Sequence, residues 1–346
     1  MMKIRLVAVA LLGFLSLAAT SALSAATAGG TLRIGIRIGD ASAAAPAAAG
    51  YDGSVRHALI ASGTPRGIAL ASLPAISPAD ESAAGDERLF RAATLAADDV
   101  LVQWLAANRF LAAHDDARAA AVIATLTRLE PDNAAAWALA LSLAARRGDS
   151  DAVDRALARM AASTRADEHV GDALHAWLDV YERHPRALSA FANPAEAEAA
   201  PFIDAMSRAT AAAMTSYQAA IDACDPSPGP ARTADCAASG RLMLHRATSL
   251  SARKAGFAML HHAGVETAAD VEARRELAWI AENAARASGF SDLDRLAIEA
   301  HREDWRALDD EYEILRRAMR RAGLPEDAPV GWIPARASAF ALAVAG

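Results

Sequence analysis

The chain has 346 residues, a formal charge of −7, and a composition that is 53% hydrophobic but only 5% aromatic. Much of the apolar fraction is alanine, the best helix former and a poor core filler, so the composition favours closely packed helices. It argues against a sheet, because Val, Ile, Tyr and Thr are not gathered into alternating runs. The acidic balance also disfavours nucleic acid, whose binding rests on phosphate neutralisation by Lys and Arg.

Met1 to Ala28 reads as a cleavable signal peptide. Lys3 and Arg5 form the positive start, Val7 to Ala19 the apolar centre, and Ala26-Thr27-Ala28 a small-x-small cleavage pattern, with Ala22-Leu23-Ser24 as the alternative. The apolar run is short for a spanning helix, and no later stretch is long and apolar enough to cross a bilayer. The expected location is the periplasm or outside the cell. Removal of residues 1–28 would take away Lys3 and Arg5 and no acid, moving the charge from −7 to −7 − 2 = −9.

Residues 29–50 read as a flexible Ala-rich leader. Thr31 to Ile38 alternates, with Leu32, Ile34, Ile36 and Ile38 on one side, which makes a strand the minority reading there. Globular structure is expected from near Asp52, with short helices at Val55–Ala61 and Arg66–Leu73, a loop over Ser77–Gly85, and a helix pair at Glu87–Ala96 and Asp98–Ala113. Ala117–Leu129, Ala134–Arg147 and the stretch up to Ala162 follow as helices. Pro131 stops the first, Asp132 or Asn133 caps the second, and Gly148 supplies a left-handed C-terminus.

Leu129-Glu130-Pro131-Asp132-Asn133-Ala134-Ala135-Ala136-Trp137, followed by Gly148-Asp149 and Ala152, resembles a tetratricopeptide repeat. A second copy lies upstream. Trp104 precedes Trp137 by 33 residues, Asp115-Asp116 sits where Gly148-Asp149 recurs, and Leu126-Thr127-Arg128-Leu129 matches Leu157-Ala158-Arg159-Met160 at a spacing of 31. The sequence departs from the family in having Ala144 where Tyr is usual, no Leu-Gly pair after Trp137, and a register slip of two in the second helix. The resemblance covers residues 98–163. It implies an all-α fold of stacked antiparallel helical hairpins, about a dozen helices in an α-solenoid. It also implies a surface that binds segments of other proteins.

The hairpins at 51–163 are expected to give way to a more irregular helical part at 164–330. Asp167–Glu182 carries Val170, Leu174, Trp177, Leu178 and Tyr181 on one face. Asn193-Pro194 starts a helix toward Cys224, and Thr233–Ala247 pairs with Ser249–Ala263. Thr267 and Ser291 open further helices with Asp in the capping-box position. One long helix is expected over Arg302–Ala322, whose apolar seam runs through Trp305, Leu308, Tyr312, Leu315 and Met319. Residues 331–346 read as a tail.

Cys224 and Cys236, the two cysteines, flank a Pro-rich loop and in an oxidising compartment suggest a disulfide; free thiols are the alternative. Trp104, Trp137 and Trp177 are candidate groove aromatics, and like Trp279 they can equally plug gaps between helices. His261 and His262 point about 100° apart on a helix, and with His245 they complete no metal-ligand pattern. Asp309, Asp310, Glu311 and Glu313 read as a solvated helix face rather than a catalytic pair. No catalytic or cofactor-binding motif stands out, and no cofactor or metal is expected. The sequence therefore points to a non-catalytic protein-interaction scaffold with an unidentified protein or peptide partner. An envelope-acting enzyme and a small-ligand carrier are the alternatives.

Overall fold

The computed structural model describes residues 41–73, 82–187, 191, 194–225, 229–289 and 294–334. The signal segment, the alternating stretch at 31–38, the Ser291 helix start and the tail beyond 334 lie outside the described residues. Fifteen helices and no strand are described. The first seven are α1 Ala41–Ala61, α2 Pro65–Ser72, α3 Ser82–Leu95, α4 Val100–Ala112, α5 Asp116–Leu129, α6 Ala134–Arg146 and α7 Ser150–Ala161. The rest are α8 Val170–Arg183, α9 Pro194–Ala213, α10 Gln218–Asp222, α11 Pro230–Arg246, α12 Leu250–His262, α13 Ala268–Ala287, α14 Arg295–Ala307 and α15 Glu311–Arg321.

Neighbouring helices pair as α2/α3, α4/α5, α6/α7 and α11/α12, and the pairs stack: α5 on α6, α7 on α11, α12 on α13, with α13 closed by α15. This is an all-α stack of helical hairpins. Side-chain caps set most helix starts. Asp99, Asp115, Asn133 and Asp149 accept amide hydrogen bonds at the N-termini of α4, α5, α6 and α7.

These caps fix the repeat length. Asp99 to Asn133 and Asp115 to Asp149 are both 34 residues. His114 takes the left-handed conformation (φ 58°) where Gly148 takes it (φ 67°), again 34 apart. The 33-residue match of Trp104 to Trp137 is therefore one residue out of register, and the 31-residue match of Leu126 to Leu157 is three out. The structural counterpart of Leu126 is Met160, and both are fully buried. The apparent slip in the second helix arose from alanine-rich stretches that look alike at several offsets.

Three other expectations are corrected. Helix α1 begins at Ala41, so part of the supposed leader is helical, as its alanine content allows. The helix expected to run from Pro194 toward Cys224 stops at Ala213 and resumes only as the short α10. The single helix expected over 302–322 is two, because Asp310 caps a fresh start at α15 with its carboxylate on the amides of Tyr312 and Glu313.

The hairpin α8/α9 breaks the simple stack. Helix α11, rather than α8, packs on α7, while α9 lies against α4, and α14 against both α8 and α9. One core joins Trp104, Leu105 and Phe110 of α4 to Leu174 and Trp177 of α8, Phe202 of α9 and Trp305 of α14. A backbone ladder crosses the loops at one edge. The amides of Thr164 and Arg165 donate to Asp132 O (3.0 and 3.3 Å), Ala134 N to Arg165 O (2.8 Å), Thr248 N to Ala166 O (3.0 Å) and Glu311 N to Thr248 O (2.8 Å).

Candidate functional site

The three tryptophans nominated for a groove have different surroundings. Trp104 is fully buried, and its indole N–H donates to the carbonyl of Ala213 at the end of α9 (2.8 Å). Its edge meets the His169 ring at 5.3 Å between centroids. Trp137 is half-buried; its indole donates to Pro131 O (2.9 Å) and Arg159 lies over its ring. The one-residue register difference rotates Trp137 by about 100° from the position of Trp104, so the two do not form a row. Trp177 is only 4% exposed and lies under the Arg208 guanidinium (5.0 Å).

A polar junction sits where the chain leaves α7 and turns into α8. His169 is buried in the left-handed conformation (φ 54°). Its Nε2 donates to Glu130 Oε2 and its Nδ1 to Asp172 Oδ2, each at 2.8 Å. Glu130 also accepts from Asn133 (3.0 Å) and from Arg165. Burial would lower the His169 pKa, but the hydrogen bonds to Asp172 and Glu130 outweigh it and push the imidazolium up to about 10. Burial would raise Glu130, and the bonds from His169, Arg165 and Asn133 outweigh it and hold the carboxyl at about 2.

Beside this charged pair lies a second carboxyl of opposite behaviour. Glu168 has no exposed surface, accepts from Thr215 N (3.1 Å) and receives the Ser249 hydroxyl. Burial dominates and raises it to about 7. Glu311 is raised by the same cause, and its carboxylate accepts from Leu250 N (2.7 Å) at the start of α12. Asp310 pairs with Arg253 (2.9 Å), whose guanidinium also lies 4.2 Å from the Tyr312 ring centroid. The carboxylates at 309–313 are thus not one solvated face. Asp309 is exposed, but Asp310 and Glu311 cap helices and are partly buried. The sequence contained no local sign of this junction. Arg165, Asp167, Glu168 and His169 form a charge-dense run that reads as a helix start, and their partners lie up to 81 residues away.

A third feature is the seat of α1. The Tyr51 hydroxyl donates to His184 O (2.5 Å), and its ring stacks on Tyr181 (6.3 Å, 20°). Tyr181 in turn stacks on Trp177 (5.9 Å). Arg186 lies over Tyr51 (4.7 Å), and Asp52 pairs with Arg208 (2.8 Å). Val55 and Leu59, one and two turns on, are buried. An N-terminal helix packs on α2 and is tied to α8 and α9 by aromatic stacking and arginine contacts.

No protein-family model, curated protein or solved structure matches this chain.

The site must therefore be read from its own chemistry. Cys224 and Cys236 lie at disulfide distance, with sulfurs 2.10 Å and Cα atoms 5.8 Å apart, joining the end of α10 to α11. His261 pairs with Glu266 (2.9 Å), and His245 approaches Asp270 (3.6 Å). Among the described residues, no group of three or more His, Cys, Asp or Glu could hold a metal ion, and no helix is long and apolar enough to cross a membrane. A surface cavity of about 390 Å³ opens between Thr64, Pro65, Arg66, Ala96, Asp98 and Asp99, where Arg66 and Asp99 already pair through two hydrogen bonds of 3.1 Å.

Proposed function

We propose that this chain is a secreted or periplasmic, non-catalytic scaffold that binds a helical segment of another protein. The observation that carries this reading is the seat of α1: Tyr181 of α8, Arg186 just after it and Arg208 of α9 hold a helix through contacts of the kind that dominate protein interfaces. The 34-residue offset between α4/α5 and α6/α7 supports the tetratricopeptide resemblance, since that is the family's repeat length. Stacked hairpins offer an extended surface without requiring a catalytic centre. The cystine supports an oxidising compartment.

The test is site-specific photocrosslinking of the full chain in cells. A crosslinker at His184, just past α8 at the seat, where its carbonyl accepts the Tyr51 hydroxyl, is expected to capture a defined partner. One at Arg155, exposed on α7, is expected to capture none. Equal adducts at both positions, or none at either, would overturn the scaffold reading.

The enzyme reading draws on one observation, the raised carboxyls of Glu168 and Glu311. Both already serve backbone amides as structural acceptors. Release of soluble product from purified envelope material by the wild-type chain, and not by Glu168→Gln, would favour that reading over the scaffold.

A further inference from the structure

Helix α1 is poorly suited to the position it occupies. Gly50 and Gly53 lie on either side of Tyr51 and Asp52, and a Cβ at either glycine would meet nothing within 4 Å. Packing therefore does not require them, and glycine is among the weakest helix formers. Pro46 contributes no amide donor to the same helix. The seat beneath is also incompletely satisfied. Trp177 Nε1, Tyr181 Oη and Arg186 Nε are buried without a hydrogen-bond partner, and Trp177 and Tyr181 are only 4% and 3% exposed. Buried donors of this kind are normally paired. A cavity of about 20 Å³ lies where Asp52, Val55 and Leu59 of α1 face Leu70 and Ala71 of α2, Trp177 of α8 and Arg208 of α9. That is room for about one water molecule and no more.

We propose that α1 is a resident, displaceable occupant of a helix-docking seat formed by α2, α8 and α9, and that the seat's partner is an amphipathic helix. That partner carries an aromatic residue followed by an acid, with aliphatic residues four and eight positions after the aromatic. The pattern is the one α1 presents as Tyr51, Asp52, Val55 and Leu59. The acid answers Arg208, the ring enters between Tyr181 and Arg186, and the two aliphatic side chains face Leu70, Ala71 and Leu73. A partner built from better helix formers, with an acceptor that reaches the three unpaired donors, outcompetes α1. This inference rests on the scaffold reading and names its partner class and its regulation: α1 keeps the seat closed until the partner arrives.

The test uses the full chain and a fluorescein-labelled peptide of residues 48–62 carrying Gly50→Ala and Gly53→Ala. Fluorescence anisotropy is expected to show at least tenfold tighter binding to the Tyr51→Ala/Asp52→Ala chain than to wild type, with Arg208→Ala added to that variant removing the gain. Equal affinity for wild type and the loosened chain, or no binding to the loosened chain, overturns the proposal. So does dimerisation of the loosened chain without peptide, which would make a second copy the occupant. Hydrogen exchange on the wild-type chain provides a measurement that does not depend on the variants' folding. The amides of residues 51–61 are expected to exchange at least tenfold faster than those of α4 and faster still with peptide present. Protection of α1 equal to that of α4 overturns the proposal. Partner capture at His184 combined with no peptide effect would sink the inference about α1 alone. No capture at all would sink the scaffold reading itself.

Discussion

The indole N–H of Trp104 donates to the carbonyl of Ala213, 109 residues further along, at 2.8 Å. The bond ties the first helix of one hairpin to the end of the intervening α9. Trp104→Phe keeps most of the ring but leaves a buried carbonyl short of its donor. It is expected to cost about 1–3 kcal/mol in urea denaturation. Trp104→Ala, which also opens a cavity, is expected to cost about 3–5 kcal/mol. Equal stability of wild type and Trp104→Phe would show that the hydrogen bond contributes nothing.

The polar junction makes stability depend on pH in two opposite directions. The folded pKa of His169, about 10, lies above its unfolded value of about 6.5. Its contribution is complete below pH ~6.5 and is lost as pH rises toward about 10. The folded pKa of Glu130, about 2, lies below the unfolded value of 4.5, so its contribution is complete above that value and is lost as pH falls toward about 2. His169→Gln is expected to cost about 3 kcal/mol at pH 6, because Glu130 stays buried and loses one of its partners. The difference from wild type is expected to shrink steadily between pH 7 and 10. A constant difference across that range would contradict the imidazolium assignment.

Glu168 has the reverse sign for an acid. Its folded pKa of about 7 lies above the unfolded value of 4.5, so the folded state holds its proton more tightly and stability falls as pH rises from 4.5 through 7. Glu168→Gln keeps an acceptor for Thr215 and cannot ionise. Relative to wild type it is expected to gain about 1–3 kcal/mol between pH 5 and pH 8. Thermal melts of both chains across that range would show whether the gain appears; parallel pH profiles would refute it.

Helices α11 and α12 cross at two glycines. A Cβ on Gly256 would lie 2.5 Å from Leu244 N and 2.6 Å from Gly240 O, both backbone atoms with little room to yield. Gly256→Ala is therefore expected to destabilise by about 3 kcal/mol through forced separation of the pair. Gly53→Ala, on open surface, is expected to stabilise by about 0.5–1 kcal/mol. Opposite signs for the two substitutions in parallel denaturant titrations are the expected result. The same sign for both would show that backbone propensity, rather than the crossing, decides.

Cys224 and Cys236 close a short loop, with a sequence separation of 12. Replacing both with serine is expected to cost about 3 kcal/mol, the loop-closure entropy for a loop of this size. Helical content by circular dichroism is expected to persist, because the bridge spans only the short α10 and the start of α11, which the chain itself also joins. An unchanged denaturation midpoint in reducing buffer would count against the bond.

What the sequence made legible was local. The caps at Asn133 and Thr267 and the left-handed Gly148 depend on residues a few positions apart, and they appear in the structure where their chemistry placed them. The break at Leu308 to Asp310 was not legible. The 3-4 apolar spacing runs through it, and the break depends on distant groups: Arg253 for Asp310, and the amide of Leu250 for Glu311. The tryptophan register was misread because alanine, the commonest neighbour, carries almost no positional information. The location of α9 against α4, and of α1 against α8, follows from pairs such as Trp104 with Ala213 and Tyr51 with Tyr181, whose partners no local pattern specifies.

An array held only by contacts between successive repeats can fray from its ends, one unit at a time. The ladder of amides that joins Asp132, Arg165, Ala166, Thr248 and Glu311 leaves little room for that route. Its rungs come from four loops far apart in the chain, and the α9–α4 contact spans the first two of them again. Peeling away the C-terminal end breaks bonds that the middle needs. Helices α4 to α15 should therefore melt cooperatively, in one calorimetric transition whose measured and van't Hoff enthalpies agree, and not in a series of partial steps.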